Sequence, residues 1–497
     1  MINNIRENVV VTGTPLFLDL YHLTMAQAWF LDGKANETKT SEAFFRKCPF
    51  DGSYLIAAGI EEFAKWLDAW KFSDEDIEYL RGLKNADGKS KFREKFLEFL
   101  KKQKLELTIK TVKEGEIVFP NEPVFSVSGP TFQVDMIEAA LLNIFNSQSL
   151  IATKASRMVM ASQADGIKRP LLEFGVRRGQ ELGGFSATRA SFIGGAFGTS
   201  NVVAGKVYNI PVSGTMAHSF IMSYENELDA FKAYMKASVG NTILLVDTYD
   251  TREGIRNAIK ASLETGIELM GMRIDSGDLA YWAKEAKKII KEEAKNCDKA
   301  YLFENAKLVA SNDLDEYAIY DLVINQKAPY DIMAAGTKLV TAYDCPALGG
   351  VFKTKSYMGK PKIKIAEGKT TIPGATNVVR IIKNNKFVQD VIVSSDDIFV
   401  KNNELVKDIY SYSKDNKVTK FEKNERAKVL LETIMENGKF VKRPENNLSK
   451  IQSFAKENLM MLDDEYKKLS NPKVYNVELG SDVYYLQQNL IQKYSGR

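Results

Sequence analysis

Six short stretches decide the architecture of this 497-residue chain: PLLEFG (170–175), IPVSGT (210–215), ILLVDT (243–248), MGMRIDSGD (270–278), KLVASND (307–313) and DIMAAGT (331–337). Each is a short apolar run that ends in Gly, Ser, Thr or Asp, and segments of helical periodicity lie between them. Strands alternating with helices build βαβ units and a parallel sheet, open or closed into a barrel. Unbroken apolar runs such as ILLV suit strands covered by helices on both faces. Such folds carry their sites at the carboxyl ends of the strands, so chemistry is expected at the polar ends of these six runs.

Upstream the pattern differs. Apolar residues recur at helical spacing in 16–30, 57–70 and 91–103, and LELTIKTVKEGEIVFPNEPVFSVSG (105–129) alternates apolar with polar residues between Gly and Pro, as antiparallel strands do. Residues 1–135 therefore read as an N-terminal α+β domain and 136–352 as the α/β barrel. Beyond 352 the alternation stops. VVRIIKNNKFVQDVIV (378–393) predicts a hairpin about Asn384 and Asn385, and helices are expected near 424–436 and 482–493. Residues 353–497 form a C-terminal α+β extension expected to pack on the N-terminal domain. No repeat of fixed period and no low-complexity linker interrupts the chain.

Composition narrows the chemistry. Lys plus Arg number 68 against 64 for Asp plus Glu, too even for a dedicated nucleic-acid binder or a polybasic membrane clamp. Cys48, Cys297 and Cys345 are too few and scattered for a disulfide framework and suit a reducing compartment. With only His22 and His218, three-histidine zinc sites, HExxH helices and Cys/His fingers are excluded by arithmetic. The first residues, MINNIRENVVVTG, lack a basic-then-apolar leader pattern, and no run of 18 apolar residues occurs, so a soluble cytoplasmic protein is expected.

The densest polar cluster is EFGVRRGQELGGFSATRASFIGGAFGTSN (173–201), with Arg177 and Arg178 directly after a strand and glycines following. Arginine grips carboxylate or phosphate through paired hydrogen bonds, and glycine lets backbone approach a ligand. A solvated arginine pair at a helix start is the plainer reading. His218 follows a small-residue strand end beside Thr215; imidazole there is a general base, a phosphoryl-accepting nucleophile, or a structural residue. No Gly-x-Ser-x-Gly elbow accompanies Ser219, which excludes a serine-hydrolase triad. Carboxylates end the next strands: Asp247, Asp275, Asp278 and Asp313. They can orient sugar hydroxyls, hold Mg2+ or stabilise a developing cation, or cap helices, a role expected of Asp313 before Asp275 or Asp278. Strand alternation turns Arg273 toward the barrel mouth with Asp275. Gly336, Thr337 and Lys338 make a weak phosphate cradle; no GxxxxGK[ST] loop is present.

Together these segments resemble the nicotinate phosphoribosyltransferase family over nearly the whole chain. The matching motifs are LDLYHLTMAQAWF (18–30), FFRKCPFDGSYLIAAGIEEF (44–63), EFGVRRGQ (173–180), IGGAFGTSNVVAGK (193–206), IPVSGTMAHSF (210–220), LLVDTYDT (244–251), RIDSGDL (273–279), ASNDLDE (310–316), GTKLVT (336–341), PALGGVFK (346–353) and KTTIPG (369–374). GQELGGFSA (179–187) is shorter than the glycine-rich stretch such proteins often carry. The resemblance implies an irregular α/β barrel of the type II phosphoribosyltransferase kind, working as a homodimer with its active site at the subunit interface. It implies ATP-coupled transfer of phosphoribosyl from 5-phosphoribosyl 1-diphosphate to nicotinate, with Mg2+, in NAD biosynthesis. His218 would be the phosphohistidine. Tyr21, coming from the partner subunit, with Arg177, Thr215 and Arg273 would contact nicotinate, and Gly277 and Thr337 the sugar phosphate. Asp275 and Asp278 would stabilise the oxocarbenium-like centre, and Lys338 or Arg178 the departing diphosphate. Nicotinamide as the acceptor, or a non-catalytic barrel that binds a phosphorylated metabolite, are the competing readings.

Overall fold

The computed structural model describes residues 14–238, 240–366 and 369–495. Two compact units emerge, one of residues 151–346 and one that joins 1–150 to 347–497. The stretch read for a leader, residues 1–13, lies outside the described residues.

The 151–346 unit is the α/β half-barrel. Its strands are β1 (Leu171–Glu173), β2 (Gly198–Thr199), β3 (Ile243–Leu245), β4 (Gly271–Ile274), β5 (Lys307–Ala310) and β6 (Ile332–Ala335), all parallel in the order β2-β1-β6-β5-β4-β3. Leu244, Met272, Leu308, Met333 and Ala335 are fully buried under the helical layer. On the other face Leu172, Val309 and Ala334 form a cluster with Phe174, Ile243 and Ile332. Register places Arg273 directly beside Val309, so its side chain leaves the sheet on this inner face.

Five of the six expected runs form these strands. IPVSGT does not: it runs extended, with a single parallel bridge between Val212 and Thr199. Pro211 has no N–H to give a ladder, which confines the segment to the sheet edge. The sixth strand is instead the two-residue β2, within the glycine-rich stretch after Arg178.

Four of the six strands, β2 to β5, are followed by a helix that opens on an Asx cap past the rim. Asn201 caps Val202–Tyr208, Asp250 caps Thr251–Thr265, Asp278 caps Leu279–Ala294 and Asp315 caps Glu316–Tyr320. In each case the side-chain oxygen accepts a backbone N–H that the helix cannot satisfy internally.

The other unit is α+β. Its seven-stranded sheet interleaves both ends of the chain: Thr38–Phe45 lies between Gly350–Tyr357 and Phe125–Pro130, and Thr108–Thr111 pairs with Glu432–Glu436. A six-stranded sheet is built around the hairpin Thr376–Lys383/Lys386–Ser394, turned by Asn384 (φ 51°) and Asn385 (φ 56°) as the sequence predicts. The helix expected at 424–436 is absent; Ala427–Val429 and Glu432–Glu436 are strands, and the helix of this region is Leu448–Met461. The helices expected at 16–30, 57–70, 91–103 and 482–493 form as Leu20–Leu31, Ile60–Asp68, Glu94–Lys101 and Ser481–Ser495. No helix among the described residues is long and apolar enough to cross a membrane.

Candidate active site

The carboxyl rim of β3, β4 and β5 gathers one connected polar cluster. Arg273, at the third position of β4, donates from Nε to Ser311 Oγ (2.8 Å) and from Nη1 to Thr215 Oγ1 (3.1 Å), and its Nη2 lies 3.1 Å from Asp275 Oδ2. Ser311 hands the contact on by donating to Asp275 Oδ1 at 2.5 Å. Two strand ends and the extended IPVSGT segment thus hold one guanidinium, which sits over the Phe174 ring with its carbon 5.8 Å from the ring centre. Such a planar, half-covered cation is built to orient a flat anionic ligand.

His218 opens a one-turn helix, His218–Ile221, just beyond the IPVSGT segment. Its Nδ1 is 3.0 Å from Thr248 Oγ1, while Nε2 lies 4.0 Å from Asp247 Oδ1 and 3.9 Å from Asp275 Oδ2. The side chain is 39% exposed, so a ligand can reach it. Asp247 is nearly buried and accepts through Oδ2 from the Asp275 N–H (2.8 Å) and the Ser276 hydroxyl (2.6 Å). Its Oδ1, turned toward His218, has no hydrogen-bond partner.

The residues expected to serve the site fall into groups. His218, Thr215, Arg273 and Asp275 are in mutual contact through Asp247 and Ser311. Arg177 and Arg178 lie exposed after β1, and neither guanidinium bonds to another described residue. Gly277, at φ +72°, lets the chain turn beside Trp282 between Asp275 and Asp278. Asp278 caps the following helix, accepting from Tyr281 N at 2.9 Å, and the cap after β5 is Asp315. The structure therefore reverses the expected order of capping roles: Asp278 is a cap, whereas Asp313 lies in a left-handed turn at φ +40°.

Past β6, Gly336 precedes the short helix Thr337–Val340, and Lys338 bonds Asp315 Oδ2 at 2.7 Å. That bond raises the Lys338 ammonium above its ordinary range. Burial opposes ionisation of Asp315, but the Ala318 N–H and Lys338 outweigh it and hold the carboxyl low. Gly175 and Gly336 press together where β1 and β6 end; a Cβ on Gly175 would fall 2.3 Å from Val340 Cγ1 and 3.0 Å from Gly336 O. Tyr21 belongs to the other unit. It is half exposed on the helix Leu20–Leu31, with its ring centre 4.1 Å from that of His22.

Two functional side chains were not singled out from sequence. Ser311 lies within the expected strand run KLVASND without being distinguished there, and the register of β4 and β5 puts it beside Arg273. Glu173 reads as a strand end, yet it is buried and accepts from Gly175 N–H, Thr188 Oγ1 (2.8 Å) and Thr199 Oγ1 (2.6 Å), tying down the loop that carries both arginines. The available signal was a lone acid among apolar strand residues.

A parallel half-barrel with a histidine, paired carboxylates and an arginine at its carboxyl rim is the architecture of barrel-type phosphoribosyltransferases. The fold is matched by the crystal structure of human nicotinic acid phosphoribosyltransferase at TM-score 0.80 and 26% identity, covering 95% of this chain and 99% of that one. Nicotinate-nucleotide pyrophosphorylase from Pyrococcus furiosus shares the fold at TM-score 0.68 and 21% identity, over 89% of this chain and 94% of that one.

Sequence relatives make the assignment particular. Nicotinate phosphoribosyltransferase of Bacillus subtilis is 39% identical, over 97% of this chain and 96% of its own length, and that of Caenorhabditis elegans 36% identical over 77% of each. Models of the nicotinate phosphoribosyltransferase N-terminal domain, family and C-terminal domain match residues 16–146, 170–369 and 376–487. The chain belongs to the nicotinate phosphoribosyltransferase family and is an enzyme of that family.

Proposed function

We propose that this enzyme transfers phosphoribosyl from 5-phosphoribosyl 1-diphosphate to nicotinate, giving nicotinate mononucleotide and diphosphate for NAD biosynthesis, and couples the transfer to ATP through a phosphohistidine at His218. The observation that carries this reading is the single contact set joining His218, Asp247, Asp275, Arg273 and Thr215 at the rim.

Nicotinate is a planar aromatic carboxylate. Arg273, with Arg177 and Thr215, orients it so that the ring nitrogen faces C1 of the sugar, and the partner subunit's Tyr21 covers the ring. As the C1–O bond to diphosphate breaks, positive charge grows on the sugar; Asp275 stabilises it electrostatically while the nitrogen lone pair forms the new bond. Arg178 and Lys338 take up charge on the departing diphosphate, and the backbone at Gly277 and Thr337 approaches the sugar phosphate. Asp278 adds its charge to the same edge while capping its helix.

Nδ1–H of His218, donating to Thr248 Oγ1, leaves the lone pair on Nε2. That nitrogen attacks the γ-phosphorus of ATP, the bond to ADP breaks with its electron pair, and Asp247 and Asp275 offset the charge gained by the ring. Magnesium fits the rim only in a substrate-carried form: among the described residues no group of three metal-ligating side chains occurs. One or two carboxylates such as Asp275 and Asp278 would hold the ion together with the substrate, and it would supply charge neutralisation for the diphosphate. The reading makes the enzyme cytoplasmic and homodimeric.

Two measurements test it. Mass analysis after incubation with ATP should show an acid-labile phosphate on His218, and steady-state rates should favour nicotinate over nicotinamide. A preference for the amide would assign the other acceptor, and absence of both turnover and labelling would leave a metabolite-binding barrel.

A further inference from the structure

A cavity of about 350 Å³ opens within the unit formed by the two ends of the chain and shares no residue with the rim. Its wall is apolar: Val112, Ile434 and Ile451 are almost fully buried, and Phe454 stands half buried beside them. Its volume is at the small end for ligand pockets, which combine such walls with a few placed polar groups.

The polar groups at this mouth are cationic and incompletely matched. Lys113 Nζ lies 3.0 Å from Glu432 Oε1 and Lys442 bonds Oε2 of the same carboxylate, so two ammonium groups share one anion. Lys450 Nζ is 3.7 Å from Glu445 Oε2, beyond hydrogen-bond length, and its side chain is 70% exposed. Glu445 meanwhile accepts through Oε1 from the N–H groups of Asn446 (3.1 Å) and Asn447 (2.9 Å). The remaining charges are engaged elsewhere. Arg443 forms a double bond pair with Asp68 (2.5 and 2.8 Å), and Glu114 accepts from Gly59 and Glu61 at the start of the helix Ile60–Asp68. Three lysines thus face two carboxylates over a hydrocarbon floor.

We propose that this cavity is a binding site for an amphipathic monocarboxylate, with its apolar body against Ile434, Ile451 and Phe454 and its carboxylate taken by Lys450 together with Lys113 or Lys442. Glu432 shows the geometry these lysines accept, one ammonium on each carboxylate oxygen. Three ammonium groups against Glu432 and Glu445 leave one positive charge for one carboxylate. A dianionic phosphate would meet Glu432 and Glu445 at close range, and an amine would meet the lysines; both arrangements are repulsive.

The test is saturation-transfer NMR of octanoate on the full chain, with octylamine and octanol as matched probes and the measurement repeated on Arg273→Gln, whose rim has lost its carboxylate-binding cation. Octanoate should bind saturably, and the two matched probes should not displace it. The double variant Lys113→Gln/Lys450→Gln should bind octanoate roughly fivefold more weakly, the effect of losing about 1 kcal/mol of ionic contact. Ile434→Phe, which fills the floor, should abolish binding while turnover with nicotinate is kept. If Ile434→Phe fails to fold, the lysine variant decides alone, because both of its side chains are solvent-exposed. No octanoate binding, equal displacement by octylamine, or affinity untouched by the lysine substitutions would overturn the proposal. Octanoate binding that is lost in Arg273→Gln would place the ligand at the rim and overturn it as well; the rim's own function stands or falls by the labelling and rate measurements above.

Discussion

Two arginines, one in each unit, are bound to aspartates in nearly the same way and do different work. Arg380 donates from Nε and Nη2 to Asp390 (2.5 to 3.0 Å) and from Nη1 to Glu116 (2.8 Å), is wholly enclosed, and lies over the rings of Phe387 and Phe119. Arg273 is held by three partners, Asp275, Ser311 and Thr215, but its side chain is 13% exposed and Asp275 26%, and a 39% exposed histidine adjoins them. The first ion pair is sealed by protein and serves the fold. The second is closed in part by the hydroxyl groups of Ser311 and Thr215, which a ligand can replace, so the same chemistry stays open to one. The difference lies in solvent access and in the replaceability of neighbours, not in residue type.

The contrast is sharpest for a substitution on each side. His218→Ala should lower turnover by about 10²- to 10⁴-fold, the usual weight of a positioned proton- or group-transfer residue, with an unfolding midpoint like the wild type. Steady-state assay beside thermal denaturation checks it; a parallel loss of stability would mean that the histidine serves the fold. Arg380→Met should do the reverse. Leaving Asp390 and Glu116 without their cation costs about 3–5 kcal/mol in chemical denaturation, while the folded fraction keeps its KM for nicotinate.

Arg273→Gln tests whether the rim arginine reads a carboxylate. Loss of a charge-assisted contact of about 1.5–3 kcal/mol should raise the KM for nicotinate tenfold or more and change that for nicotinamide little. Equal losses would reduce Arg273 to a scaffold like Arg380.

The sealed cluster carries its own pH signature. Beside Arg380 lie Asp390, Glu116, Glu122, Lys428 and Tyr475, three carboxylates against two basic groups. Burial first, then the charge of Asp390, pushes the Glu122 carboxyl well up, and its Oε1 has no partner. A carboxyl whose folded value is raised binds a proton on folding. Its contribution is therefore full below the ordinary carboxylate range and is lost as pH rises toward the raised folded value, by up to about 1.4 kcal/mol per pH unit. Glu122→Gln should flatten that decline in stability measured from pH 5 upward, with little change at the acid end. An unaltered slope would show that Glu122 is ionised in the fold.

Much of this was legible in the sequence, because local rules and tertiary structure agree there. The alternation of apolar runs with helices, the Asn384-Asn385 turn and the location of polar groups at strand ends all follow from periodicity and turn chemistry. The strands at 427–429 and 432–436 were not, because NERAKVLLETIME has the composition of a helix. Its second strand pairs with Thr108–Thr111, more than 300 positions away, and propensity gives way to that sheet. Glu173 and Ser311 were hidden for a related reason: their partners come from neighbouring strands, and only register brings them together. Asp247 was visible as a strand-end acid, but its orientation toward His218 depends on two donors from the next strand, Asp275 and Ser276.

Asp278 separates the two kinds of role within one residue. One oxygen accepts the Tyr281 N–H at 2.9 Å and starts the helix Leu279–Ala294, while the residue remains exposed at the rim where diphosphate would leave. Asp278→Asn keeps an Asx cap and removes the charge, whereas Asp278→Ala removes both. If the cap dominates, Ala should cost about 1 kcal/mol in denaturation and Asn almost nothing, with turnover nearly unchanged in Asn. If the charge serves transfer, Asn should lower turnover at wild-type stability. Because the cap takes only one oxygen and leaves the other free at the rim, the expected result is the second, with a smaller loss than follows removal of Asp275 or Asp247, the two carboxylates within about 4 Å of His218.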